Sequence, residues 1–224
     1  MTHIVGLVPM RHSSERVPGK NYRILQGRPL YHHVVQALLD SGVVDEVLID
    51  TDSELIAEDA ARNFPQVRVV PRPEHLLGGE VPMNAILLHD VTLAEADLYL
   101  QTHSTNPLLQ PTTVRRAVEA LMAAPEHDSL FGVTSLQTRL WWADGTAVNH
   151  DPAVLLRTQD LPAVYEENSN IYLFPRDVLE LRGNRIGERP MLFPIDRAEA
   201  WDIDEQIDWD VVEALMAQRA AERG

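Results

Sequence analysis

Two stretches of this chain concentrate groups suited to phosphate and cation chemistry. The first is Pro9-Met10-Arg11-His12-Ser13-Ser14-Glu15-Arg16-Val17-Pro18-Gly19-Lys20-Asn21. Its arginines, lysine, serines and glycine offer charged donors, hydroxyls and backbone N–H groups, the donor set a polyphosphate requires. The Gly-x4-Gly-Lys-Ser/Thr spacing of a Walker loop is absent. Lys20 is the one lysine among 19 basic residues, and its compact ammonium suits a point-charge phosphate contact. The second stretch is Trp201-Asp202-Ile203-Asp204-Glu205-Gln206-Ile207-Asp208-Trp209. Asp202 and Asp204 flank Ile203, so extended backbone directs both carboxylates to one face. Paired carboxylates suit a hard divalent cation that also touches phosphates. Asp208 reads as the N-cap of the last helix rather than as a ligand. The plainer alternatives are a polar surface loop and a solvated acidic face.

Charge distribution sharpens this reading. The net charge of -15 opposes nucleic-acid binding, because a phosphate backbone would meet a repelling field. Yet residues 1–39 carry Arg11, Arg16, Lys20, Arg23 and Arg28 against Glu15 alone, whereas residues 196–213 are strongly acidic. One end of the chain is equipped for an anion and the other for a cation, unless both are simply solvated faces. There are no cysteines, which excludes disulfides, thiolate metal sites and cysteine nucleophiles. No apolar run is long enough to span a membrane and the first residues lack the pattern of a signal peptide, so the expected location is the cytoplasm.

The elements that must position these groups alternate. Residues 3–9 and 47–50 read as buried strands, as do 67–70, 98–101 and 129–134, with 171–174 resuming the sheet later. Helices fit around Leu30–Leu39, after Thr51-Asp52-Ser53, over 82–91, after Thr112 or Thr113 as cap, and over 210–219. That rhythm predicts an α/β fold with a mostly parallel, doubly wound, Rossmann-like sheet in one domain spanning 1–224. Ligands of such sheets bind beyond the carboxyl ends of the strands, which places the Arg11–Asn21 loop at a site. Residues 135–166 break the rhythm with Trp141, Trp142 and several turn signals, and read as an insertion.

Together these motifs resemble the acylneuraminate cytidylyltransferase family, whose members make CMP-activated sialic and related nonulosonic acids from CTP. The resemblance runs over nearly the whole chain. It rests on Arg11-x-x-Ser14-x-Arg16-x-Pro18-x-Lys20-Asn21, then Thr51-Asp52 before Leu55-Ile56-Ala57-Glu58, then Arg72-Pro73-Glu74-His75-Leu76. Leu100-Gln101, Arg157-x-Gln159-Asp160-Leu161-Pro162, Asn168 and Asp202-Ile203-Asp204 follow in the family's order.

The resemblance implies a nucleotidyltransferase of that fold, with CTP and an acidic sugar as substrates. CTP would meet Arg11, Ser14, Arg16, Lys20, Asn21, Thr51, Asp52 and Arg72, with Arg11 and Lys20 offsetting the charge of the leaving pyrophosphate. Asp202 and Asp204 would hold Mg²⁺. Gln101, Arg157, Gln159 and Asn168 would face the sugar, and 135–166 would be a dimerisation insertion, giving a homodimer. No dedicated general base is evident; deprotonation would be metal- or aspartate-assisted. Three departures bear on the acceptor: Thr102-His103-Ser104-Thr105-Asn106 replaces the usual sequence after Leu-Gln, Glu166 stands where sialate enzymes commonly have arginine, and the usual Asp and small hydroxyl residues are missing around Gly78-Gly79-Glu80-Val81-Pro82. Kdo, legionaminate, pseudaminate or a phosphonate therefore remain alternative acceptors. A glycosyltransferase or a non-catalytic nucleotide-binding subunit are the readings from other classes.

Overall fold

The computed structural model describes residues 2–223. Nine strands and six α-helices follow in chain order among them: β1 (Ile4–Leu7), β2 (Ile24–Leu25), β3 (Arg28–Pro29), α1 (Leu30–Ser41), β4 (Glu46–Thr51), α2 (Glu54–Asn63), β5 (Arg68–Pro71), α3 (Met83–Asp90), β6 (Leu98–Gln101), α4 (Pro111–Met122), β7 (Ser129–Leu136), β8 (Val164–Phe174), α5 (Arg176–Arg182), β9 (Pro190–Pro194) and α6 (Gln206–Arg223). Seven strands form one sheet in the order β5-β4-β1-β6-β8-β7-β9, and β2 and β3 form a small hairpin. All pairs in the large sheet are parallel except those of β8, which runs antiparallel to both β6 and β7.

Every side chain of β1 is buried, because helices cover both faces of a mostly parallel sheet. Alternate residues then serve opposite cores. Ile4 and Val8 pack with Tyr31, Val35 and Leu38 of α1 and with Val114, Ala117 and Val118 of α4. Val5 and Leu7 pack with Leu87 of α3 and Leu179 of α5. A third cluster has a different task. Val17 of the basic loop and Ile203 between the two aspartates pack with Leu25, Leu30, Leu108, Trp209 and Val212. Fully burying such a side chain contributes about 1.5–3 kcal/mol. Helix α6 thereby holds the two ends of the chain against each other.

Several local expectations need correction. The cap of α4 is neither Thr112 nor Thr113: Gln110 precedes the helix and Pro111 opens it. Glu199 supplies the capping acceptor from a distant loop, taking the Gln110 N–H at 2.7 Å and the Thr113 hydroxyl at 3.0 Å. The last helix begins at Gln206 rather than Asp210, so Asp208 lies inside its first turn. Its carboxylate reaches back to the N–H groups of Asp204 and Glu205, at 2.9 and 2.7 Å. Residues 135–136 and 164–166 belong to the β7–β8 ladder, where Ser135 pairs with Tyr165 and Leu136 with Val164. The segment outside the sheet is therefore 137–163, whose exposed side chains include Trp141, Trp142 and Leu155. No described helix is long and apolar enough to cross a membrane.

Candidate active site

The loop after β1 is fastened before it reaches any ligand. Met10 continues the strand by an N–H bond to the Asp50 carbonyl at 2.9 Å. The His12 N–H donates to Asp52 Oδ1 at 2.6 Å, its ring meets Ser53 Oγ at 2.7 Å, and the ring stacks on Tyr22. Gly19 turns the chain with φ +66°, and a Cβ there would come within 2.9 Å of the Tyr22 ring. Asn21 is buried: its amide donates to the Arg11 carbonyl at 2.7 Å and accepts from Ser104 Oγ at 2.8 Å. Asp52 and Asn21 thus shape the loop, while Arg11, Ser14, Arg16 and Lys20 face a cavity of about 620 Å³.

Asp202 and Asp204 form the opposite wall of this cavity. The Ile203 N–H donates to the Thr105 carbonyl at 2.9 Å, which pins the segment between them. Lys20 Nζ donates to the Ile203 carbonyl at 2.5 Å and lies 3.5 Å from Asp204 Oδ1; Arg16 donates to the same oxygen at 2.8 Å. Asp202 is deeper. Burial raises its pKa above the usual carboxylate range, opposed by a hydrogen bond from Thr105. Its Oδ1 is shielded from water and has no hydrogen-bond partner among the described residues. A buried carboxylate oxygen without a partner, beside a second carboxylate, is a donor set that fits a hard cation.

Arg72 lines the same cavity, and its guanidinium is buried and bonded from beneath by Asp50. Behind it lies Asp90, also fully buried. Asp50, His89 and Asp90 offer ligand atoms within 4.8 Å of one another, but Arg72 already occupies Asp50 Oδ1. Among the described residues neither Asp90 oxygen nor Asp50 Oδ2 has a hydrogen-bond partner. Burial first, and then the charge of Asp50, push the Asp90 carboxyl up to about 8. A proton shared by the pair satisfies both and leaves one net negative charge against Arg72.

A second cavity of about 430 Å³ adjoins the first, sharing Ser169, Asp202 and Asp204 with it. Glu166, Glu167 and Asn168 line it from β8. The ladder register slips between Phe131 and Val133, and Ser169 takes the left-handed conformation with φ 57°. Such a bulge within a strand re-aims the side chains on either side of it. Gly132 gives Asn168 its space, since a Cβ there would approach Asn168 Oδ1 to 2.6 Å.

The fold thus gathers Arg11, Ser14, Arg16, Lys20, Asn21, Arg72, Asp202 and Asp204 around one cavity, with Asn168 next door. Thr51 is buried at the end of β4, where its hydroxyl accepts the Ser53 N–H, and lines neither cavity. Gln101 is fully buried and lines neither cavity. Arg157 and Gln159 sit on the 137–163 segment; Arg157 pairs with Asp160 at 2.6 Å and the Gln159 carbonyl accepts from Gln137. Neither lines these cavities. Sequence reasoning missed His103 and Ser169 as lining groups, and also Asp50, Asp90 and Arg185. His103 and Ser169 were adjacent to matched motifs; the others carried no spacing signal.

A family model described as Cytidylyltransferase matches residues 5–222. The chain is 29% identical over 218 residues to N-acylneuraminate cytidylyltransferase A of Danio rerio, covering 94% of this chain and 50% of that one. It thus spans about half the length of that relative. It is 25% identical over 224 residues to the CMP-N,N'-diacetyllegionaminic acid synthase of Legionella pneumophila, covering 95% and 96% of the two chains. It is also 27% identical to the 3-deoxy-manno-octulosonate cytidylyltransferase of Escherichia coli, covering 80% and 75%. Among solved structures, the fold matches CMP:2-keto-3-deoxy-manno-octonic acid synthetase complexed with CTP at TM-score 0.71 and 21% identity, covering 97% and 100%. It matches 4-diphosphocytidyl-2C-methyl-D-erythritol synthase at TM-score 0.70 and 17% identity, covering 96% and 100%.

Proposed function

The chain belongs to the cytidylyltransferase family, and from that premise we propose that it condenses CTP with an acidic sugar of the nonulosonic or ulosonic type. The anomeric hydroxyl attacks the α-phosphorus, the bond to the bridging oxygen of the β-phosphate breaks, and pyrophosphate leaves. The observation that carries this reading is the meeting, across one cavity, of the basic loop after β1 with Asp202 and Asp204. The adjoining cavity, which shares both aspartates, offers room for the acceptor.

In this reading Arg11, Arg16 and Lys20 bind the triphosphate and offset the charge that develops on pyrophosphate. Lys20 and Arg16, held by Asp204 and the Ile203 carbonyl, are already aimed across the cavity. Arg72 contributes to the nucleotide end, oriented by Asp50. Asp202 and Asp204 would hold Mg²⁺, which when bound supplies charge neutralisation and alignment for the attack. Asn168 faces the acceptor, and an aspartate-assisted proton transfer from its hydroxyl completes the step. Catalysis is mainly positioning and electrostatics.

The working form is a homodimer in the cytoplasm. Its support is the 137–163 segment, which exposes Trp141, Trp142, Val154 and Leu155; exposed apolar and aromatic side chains of this kind suit an interface. Arg157 and Gln159 on the same segment would then serve the neighbouring subunit's acceptor site.

The test is pyrophosphate release from CTP with N-acetylneuraminate, legionaminate, pseudaminate, Kdo and a phosphonate. Release with at least one acid is expected. Silence with all of them, alongside tight CTP binding, would turn the reading toward a non-catalytic nucleotide-binding subunit.

A further inference from the structure

The proposed reaction leaves one buried cation unused: Arg185 lines neither cavity, but its charge reaches His103, which lines the larger one. Arg185, in the loop between α5 and β9, donates from Nη1 to Gln101 Oε1 at 2.5 Å, and its guanidinium carbon lies 3.5 Å from the Tyr172 ring centroid. Gln101 and Tyr172 are register partners across β6 and β8, which explains why one guanidinium meets both. The loop is anchored on either side of this contact: the Arg185 N–H meets Asn84 Oδ1 at 3.4 Å, and the Gly187 N–H meets Ser129 Oγ at 2.8 Å. Arg185 is therefore placed by the fold rather than left to sample solvent.

Its surroundings are incomplete. Among the described residues Arg185 forms no ion pair, and burial lowers its pKa. The charge of Glu167 reaches it, but the Glu167 carboxylate accepts the Tyr172 hydroxyl. The bond from Arg185 fixes the Gln101 amide with its oxygen toward the guanidinium, so Nε2 remains a donor. That Nε2 is fully buried and has no partner among the described residues, as is true of Nε2 of His103. His103 lines the cavity, and burial and the charge of Arg185 lower its pKa to about 4, so it adds no second cation. Leaving two buried nitrogens unpaired next to a guanidinium that only Gln101, Tyr172 and the charge of Glu167 compensate is costly unless a ligand completes them.

We propose that Arg185, together with Gln101 Nε2, receives the carboxylate of the acceptor and so selects a sugar acid over a neutral sugar. A guanidinium edge beside an amide donor matches the two oxygens of a carboxylate. This rests on the cytidylyltransferase reading and adds to it the residue that senses the acceptor's charge.

The experiment compares Arg185→Met with wild type, using each acceptor acid that releases pyrophosphate and its methyl ester. Wild type should prefer acid to ester. In R185M the KM for the acid should rise about 30-fold or more, as for truncating one partner of a buried charge pair. The ester should be used as poorly by both proteins, and CTP affinity should stay within about twofold. A folded R185M that keeps the preference for acid overturns the proposal, because a merely structural arginine would not carry that selectivity. If R185M does not fold, Arg185→Lys keeps the charge but loses the fork, and an unchanged acid KM overturns the proposal equally. Wild type inactive with every acid would overturn the functional reading and this inference together; wild type active with R185M unaltered overturns this inference alone.

Discussion

Arg16 and Asp204, 188 residues apart in the chain, lie 2.8 Å from each other across the mouth of the larger cavity. Both side chains are substantially exposed, at 61% and 45%, so the pair contributes little to folding, about 0–1 kcal/mol. What holds the two segments together is the apolar cluster of Val17, Ile203 and α6 beneath them. The ion pair is therefore free to exchange partners when a triphosphate and a cation enter, without loosening the fold.

Asp204→Asn should follow from this separation of roles. The substitution keeps the shape and the backbone bonds to Asp208 but removes one anionic group from the cavity wall. Turnover should fall by about 2–4 kcal/mol of transition-state stabilisation, with a thermal midpoint near that of wild type. Wild-type turnover at limiting Mg²⁺ would remove Asp204 from the cation site.

Lys20→Ala should separate the nucleotides by their phosphates. The Lys20 ammonium faces the cavity, and among the described residues its polar contacts are the Ile203 carbonyl and Asp204. Removing it should weaken CTP by about tenfold or more and CMP far less, since a point charge acts chiefly on the longer phosphate chain. Titration calorimetry with both nucleotides measures this, and equal losses would place Lys20 away from the triphosphate.

Glu166→Arg bears on acceptor choice. Glu166 lines the smaller cavity beside Asn168, where its carboxylate opposes a second carboxylate and favours hydroxyl or amine donors. The variant should improve kcat/KM for N-acetylneuraminate relative to the preferred acceptor. Efficient use of N-acetylneuraminate by wild type, unaltered by the substitution, would end the case for this position.

Gly132→Ala should disturb the site through packing alone. The added methyl would meet Asn168 Oδ1 at 2.6 Å and Ile195 Cδ1 at 2.8 Å. Overpacking of this kind costs about 1–3 kcal/mol. Stability should fall and the acceptor KM should rise, while the CTP affinity holds. Denaturant unfolding together with the two kinetic constants checks it; an unchanged acceptor KM would show that Asn168 does not serve that side.

Asp90→Asn should change how stability depends on pH. The folded pair binds a proton up to about pH 8, whereas an unfolded aspartate releases it near its ordinary value of 3.8. Between these limits the folded state holds more protons. Stability from this group is full below about pH 3.8 and is lost as pH rises toward 8. Asparagine offers Asp50 a permanent donor and removes that slope. Urea midpoints at several pH values should show wild type losing ground to D90N as pH rises; parallel curves would mean that no proton is shared.

Much was legible because it is local. A basic loop directly after an apolar strand, two aspartates alternating with isoleucine, and strands alternating with helices all follow from short-range periodicity and donor chemistry. Ser53 illustrates this: its hydroxyl caps α2 by accepting the Ile56 N–H, as its position before the helix implies. The order of motifs carried the family, and with it the fold class. Other features depend on which distant elements meet. Nothing near Pro111 announces that Glu199 caps α4, and nothing in Asp50 or Asp90 announces a shared proton, since each is an ordinary acid until packing brings the two together in a dry interior. The reversal of β8 and the kink at Ser169 arise from ladder register, which adjacent residues do not encode. Arg185 is the sharpest case. In sequence it is one of many arginines, and only the pairing of Gln101 with Tyr172 turns it into a buried cation, because a charge acquires its meaning from the partners that folding supplies and the solvent that it removes.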